Sequence, residues 1–95
     1  MLFMVIERFA LGRVPEVYRV VRERGRSLPE GLVYIDSWVS ASLDRCFQLM
    51  ETEDPALFQE WIAGWGDLVE FEIVPVTTSR TTGELMRRLA IAADQ

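Results

Sequence analysis

The sequence has no histidine, no lysine and a single cysteine, Cys46. Without histidine, the usual general base and the commonest metal ligand are missing, and zinc centres built from Cys and His are excluded. Without lysine, Schiff-base chemistry on a side-chain amine is excluded; all 10 basic residues are arginines. One cysteine cannot close an internal disulfide, so nothing calls for an oxidising compartment. Long apolar runs are absent as well. The start, MLFMVIERF, is apolar but too short for a signal peptide and is interrupted by Glu7 and Arg8, and no stretch reaches membrane length. There is also no basic stripe: 15 acidic residues outnumber the basic ones, the net charge is −5 and the pI is near 4.6. A nucleic-acid binder draws much of its affinity from neutralising phosphates. The sequence therefore predicts neither a nucleic-acid nor a membrane partner, and no metal or cofactor. A cytoplasmic location is the default expectation.

What is present suits one domain over 1–95. Size scaling gives roughly 5,600 Å² of folded surface against about 15,800 Å² unfolded, enough burial for one core with little in reserve. A hydrophobic fraction of 49% is rich for so short a chain, and the expectation is that a second copy covers some of the apolar surface.

Residues 2–9 are nearly continuous in apolar, β-prone character, as in a strand buried on both faces. Gly12 ends this strand, and Pro15 suits the first turn of a helix. Val14, Val17, Tyr18 and Val21 follow helical spacing, and Gly25 is a natural stop. A hairpin follows, with strands at 32–39 and 45–51 and a turn at 40–44. Asp54-Pro55 opens a second helix as cap and first residue; its stripe is Leu57, Phe58, Trp61, Ile62 and Trp65, and Gly66 closes it. Residues 68–77 alternate as a fourth strand, with Pro75 fitting an edge. Thr81 to Glu84 has capping-box spacing, predicting a last helix that presents Leu85, Met86, Leu89 and Ala93. The order β-α-β-β-α-β plus a C-terminal helix is that of a ferredoxin-like α+β fold, with an antiparallel sheet and its helices on one face. Residues 1–77 form its core and 78–95 a C-terminal cap and helix. Strand order 4-1-3-2 follows by analogy with that fold.

Strand parity assigns faces. The odd positions are mostly apolar (Phe3, Val5, Val33, Ile35, Phe47, Leu49, Phe71 among them) and are expected beneath the helices. The even positions Met4, Ile6, Arg8, Tyr34, Asp36, Trp38, Cys46, Gln48, Met50, Glu70 and Glu72 are expected on the helix-free face. Such a face is too apolar to stand in water and too polar for a plain core, so a partner copy is expected to cover it.

The stretches MLFMVIERF, PEGLVYIDSW, RCFQLMETEDPALFQEW and WGDLVEFEIVPV resemble the bacterial family filed as domain of unknown function 3303. The resemblance covers roughly residues 1–77. Members of that family are similar to the dimeric α+β barrel superfamily, whose subunits pack sheet to sheet. The resemblance implies a fold and a homodimer; it brings no activity and no catalytic residues.

The candidate site follows from the parity assignment. Tyr34, Asp36, Trp38, Cys46 and Gln48 are expected to line a small-molecule pocket on the helix-free face, with Met4, Ile6 and Met50 as its apolar wall. The competing reading is a satisfied polar cluster at a dimer interface. Asp36 is the one candidate acid–base residue, which would make the protein a cofactor-independent enzyme of the oxygenase, isomerase or decarboxylase kind; a purely structural dimerisation module is the third reading. Cys46 lacks a histidine partner and reads as inert packing. Glu70, Glu72 and Asp36 offer oxygen ligands for a hard cation but read more simply as a solvated edge or an inter-subunit ion pair. Trp61 and Trp65 read as core, and the arginines from Arg22 to Arg26 as a solvated helix end that could also dock an anion.

Overall fold

The structure, a computed structural model, describes residues 1–66 and 68–93. The elements are β1 (Leu2–Phe9), α1 (Val14–Arg24), β2 (Val33–Val39), β3 (Arg45–Glu51), α2 (Ala56–Ala63), β4 (Val69–Val76) and α3 (Ser79–Ala93). This is a mixed α+β arrangement with one four-stranded sheet. The sheet order is β2-β3-β1-β4, which from the β4 edge reads 4-1-3-2. All three pairings are antiparallel. Pro75, which has no donor to give a neighbour, sits on the edge strand β4 opposite Phe3.

Local chemistry sets the ends of the elements. Gly25 closes α1 with a positive φ of 65° that glycine adopts without strain, and its N–H donates to the Val21 carbonyl at 2.8 Å. Asp54 starts α2, its Oδ1 accepting from Ala56 N at 3.1 Å. That helix stops at Ala63, three residues before Gly66. Trp65 therefore lies in the turn beyond it, where its N–H reaches the Ile62 carbonyl at 3.0 Å. The last helix begins at Ser79, earlier than the capping-box spacing implies. Thr78, not Thr81, supplies the cap, its Oγ1 accepting from Thr81 N at 3.1 Å.

The core forms where α2 meets the sheet. Phe3, Val5, Leu32, Met50, Phe58 and Trp61 make one buried cluster. Phe58 meets Phe3 edge-on, with centroids 5.0 Å apart, and Trp61 meets Phe71 likewise at 5.1 Å. The Trp61 indole N–H donates to the Arg26 carbonyl at 2.8 Å, tying the α1–β2 connection down onto α2.

The register corrects the parity assignment. Phe3, Val5 and Glu7 of β1 stand opposite Met50, Gln48 and Cys46 of β3. The even residues of β3 therefore share a face with the odd residues of β1, under the helices. On the other side of β3, Tyr34 pairs with Met50 but Asp36 pairs with Leu49, because Ile35 is the extra residue of a β-bulge. One inserted residue exchanges the faces of everything beyond it. Tyr34, Ser37 and Val39 thus face the helices, while Asp36 and Trp38 face away with Leu49 and Phe47.

Helix α3 stands apart from this body. Every side chain described in it, Ser79 to Ile91, is exposed, including Leu85, Met86 and Leu89; the expected part of Ala93 in that stripe lies outside the described side chains. The radius of gyration is 16.9 Å, against about 12 Å for a compact chain of this length.

Candidate functional site

Between the sheet and α1 lies a cavity of about 150 Å³. Its walls are mostly apolar: Val17 and Val21 from α1, Phe9 and Val69 from the sheet, Trp61 from α2 and Trp65 just beyond it. Its polar groups are few. Glu7 of β1, Cys46 and Gln48 of β3, Ser37 of β2, Tyr18 of α1 and Arg26 from the α1–β2 connection all line it. Among them, Glu7 and Gln48 are only 6% and 5% exposed. A buried carboxyl and a buried amide in an apolar setting are costly unless they find partners.

These two partner each other. Gln48 Nε2 donates to Glu7 Oε1 at 2.6 Å. The other amide atom, Gln48 Oε1, is buried without a hydrogen-bond partner. Burial pushes the Glu7 carboxyl up from 4.5 to about 7; the Gln48 hydrogen bond and the Arg26 charge pull the other way and recover only part of the shift. Glu7 therefore exchanges its proton near neutrality, a property that clusters at functional sites. Cys46 moves to about 11, through burial first and then the neighbouring Glu7 charge, with Arg26 opposing. Its thiol is held protonated, which agrees with an inert packing role and against a nucleophile. Arg26 is held at the cavity by two contacts: its carbonyl takes the Trp61 indole N–H, and its guanidinium lies 3.8 Å from the Tyr34 ring centroid. Tyr34 in turn shares a 2.6 Å hydrogen bond with Ser37.

The residues expected to form one pocket on the helix-free face divide into two groups. Cys46 and Gln48 line the cavity beneath the helices, Tyr34 stands beside it under Arg26, and Met50 is fully buried in the core. Asp36 and Trp38 lie on the opposite face, exposed, with Met4 and Ile6 half-buried there. Asp36 Oδ1 accepts from the neighbouring Ser37 N at 2.8 Å. Glu72 pairs with Arg8 within the chain at 3.4 Å, at the surface. Among the described residues, no group of three or more Cys, Asp or Glu is placed to hold a metal ion, and no helix is long and apolar enough to cross a membrane. Glu7 is the lining residue to which the sequence assigns no role, and Arg26 enters only within the Arg22–Arg26 run, as a solvated helix end or an anion dock. The signal for Glu7 was available: it occupies an odd position of β1 in line with Phe3 and Val5, so a carboxyl stands in the buried row.

Sheet, helices and cavity together define an α+β protein with a polar pair enclosed beneath its helices. The sequence profile of the family described as domain of unknown function (DUF3303) matches residues 1–90, and the chain belongs to that family. Comparison with curated proteins and with solved structures finds no match to either.

Proposed function

We propose that the chain is a ferredoxin-like, homodimeric small-molecule-binding protein of the dimeric α+β barrel type, and that its ligand occupies the cavity beneath α1 and α2. The observation that carries this reading is the Glu7–Gln48 pair. Two buried polar side chains, one with an orphaned oxygen, face an apolar hollow large enough for one small ring. A chain under pressure only to pack would fill that space with apolar side chains, since unmatched buried polar groups are destabilising. The β-α-β-β-α-β order and the strand order support the fold type.

Dimerisation rests on different residues. The face away from α1 and α2 presents Met4, Ile6, Trp38, Phe47 and Leu49, with Trp38 half exposed. The chain exposes 6685 Å², about a fifth more than a compact monomer of its mass. An apolar sheet face and a projecting helix with an apolar stripe are both accounted for when a second copy covers them. Native mass spectrometry of protein purified from its source tests both parts together. The reading expects a dimer mass carrying a retained small molecule that is lost in Gln48→Leu. A monomer mass opposes dimerisation, and a ligand retained equally by Gln48→Leu opposes the cavity.

A further inference from the structure

The cavity brings together one carboxyl, one cation and one amide, and little else that is reactive. Its thiol is protonated, the sequence offers no histidine or lysine, and the tyrosine at its rim, Tyr18, is held in its phenol form by burial. Proton transfer is the chemistry these groups can perform without help. Glu7 is buried yet lines the open space, so it can take a proton from a molecule lying there. Its position is fixed from the side by Gln48. Arg26 lines the same space and is the cation whose charge acts on Glu7. It is held in place by the Trp61 and Tyr34 contacts.

We propose that this is a proton-transfer site, in which Glu7 moves a proton to and from carbon in a compact, uncharged, single-ring carbonyl compound while Arg26 faces the charge that develops on the carbonyl oxygen. This rests on the binding reading above and goes beyond it to a reaction. The ligand is a single ring because a hollow of about this volume holds one benzene-sized molecule. It is uncharged because the walls are mostly apolar and an ion entering them would lose its hydration, with one of the two opposite charges, Glu7 or Arg26, opposing it. The reaction balances without an oxidant or a cofactor. The Glu7 carboxylate takes the proton from the carbon beside the carbonyl. The C–H electron pair forms the new C=C bond, and the carbonyl π pair moves onto oxygen opposite Arg26. The protonated Glu7 then returns the proton, either to the same carbon, giving exchange, or to the far carbon of an adjacent double bond, giving an allylic shift. Acid and base are one group, and a carboxyl that titrates near neutrality suits both halves of the cycle.

The charged and titratable groups around Glu7 set its pH dependence: Arg26 from the α1–β2 connection, Cys46 from β3 and Tyr18 from α1. Cys46 stays protonated through neutral pH, so the rate should rise with the ionisation of Glu7.

The test uses the full chain with cyclohexanone, cyclohex-3-enone and phenylacetone as probes in D₂O. Deuterium uptake and double-bond shift are followed by NMR, and binding is read on the same samples from the Trp61 indole and Gln48 amide signals. The expected result is uptake accelerated on the order of 100-fold over Glu7→Gln, rising with pH to a plateau about a midpoint near 7. Probes that bind without acceleration, or acceleration that survives Glu7→Gln, overturn the proton-transfer proposal and leave the binding reading standing. Probes that perturb neither signal count against both. Should Glu7→Gln not fold, the wild-type profile decides: a rate that climbs with hydroxide and shows no plateau contradicts the role of Glu7.

Discussion

Gln48 Nε2 lies 2.6 Å from Glu7 Oε1, an amide-to-carboxyl contact between β3 and β1 with both side chains buried. It joins two strands already paired through their backbones, so holding the sheet together does not require it. It steadies a carboxyl that the surrounding apolar walls would otherwise favour only in its neutral form.

That carboxyl should shape the pH dependence of stability. In the unfolded chain Glu7 ionises around 4.5, whereas in the folded state it keeps its proton up to about 7. Between those values the folded state binds the extra proton, so the stabilisation is complete below 4.5 and is lost as pH rises through 7. The loss amounts to about 3 kcal/mol, an order-of-magnitude figure from the pKa difference. Glu7→Gln, which keeps the size and can still accept from Gln48, should flatten this slope and be the more stable protein at pH 8. Urea unfolding of both forms at several pH values measures the difference.

The Cys46 thiol should be slow to react. With its ionisation pushed to about 11 and its side chain buried, it is expected to modify at least about tenfold more slowly than free cysteine at pH 8. A chromogenic disulfide reagent followed in native buffer and then in urea checks this, with full reactivity returning only on unfolding.

Trp61→Phe removes the indole N–H that anchors the Arg26 carbonyl and shrinks a side chain that is 3% exposed. The lost bond and the new void together should cost about 2 to 4 kcal/mol. The α1–β2 connection should loosen in particular, seen as faster amide exchange around Arg26 in hydrogen-exchange experiments.

Trp38→Asp places a charge on the edge strand β2, beside Phe47 on the sheet face away from α1 and α2. Sedimentation at micromolar concentration should find a dimer for the wild type and a monomer for this variant, with the helical and strand content unchanged by circular dichroism. A wild-type monomer would remove the basis for assigning that face to a second copy.

The order of elements could be read from the sequence because each has a local cause. Helical spacing marks α1 and α2, alternation marks β4, and Gly25 and Asp54 act where their chemistry places them. The faces of β2 and β3 could not be read. Parity along one strand fixes its two sides only relative to each other, and the register between β1 and β3 decides which side meets the helices. The bulge at Ile35 added a second exchange that no glycine or proline announces. Asp36 stands on the helix-free face that strand parity predicts, but the bulge leaves it there without Tyr34, Cys46 and Gln48, which lie on the other side. Gln48 lies beneath the helices, not on the helix-free face that strand parity predicts. Glu7 was the more telling residue, since its place in the row of Phe3 and Val5 needs no register to interpret. Arg26 reaches the site through tertiary contacts with Trp61 and Tyr34, which leave no local pattern in the sequence.

A carboxyl-resolved ¹³C NMR titration of the folded protein tests the central claim most directly. A glutamate that titrates near pH 7, is absent in Glu7→Gln and moves higher when Gln48→Met removes its hydrogen bond is the predicted result. If every glutamate carboxyl titrates in the ordinary range of about 3.5 to 5, Glu7 is not the buried, proton-exchanging group on which the site is built.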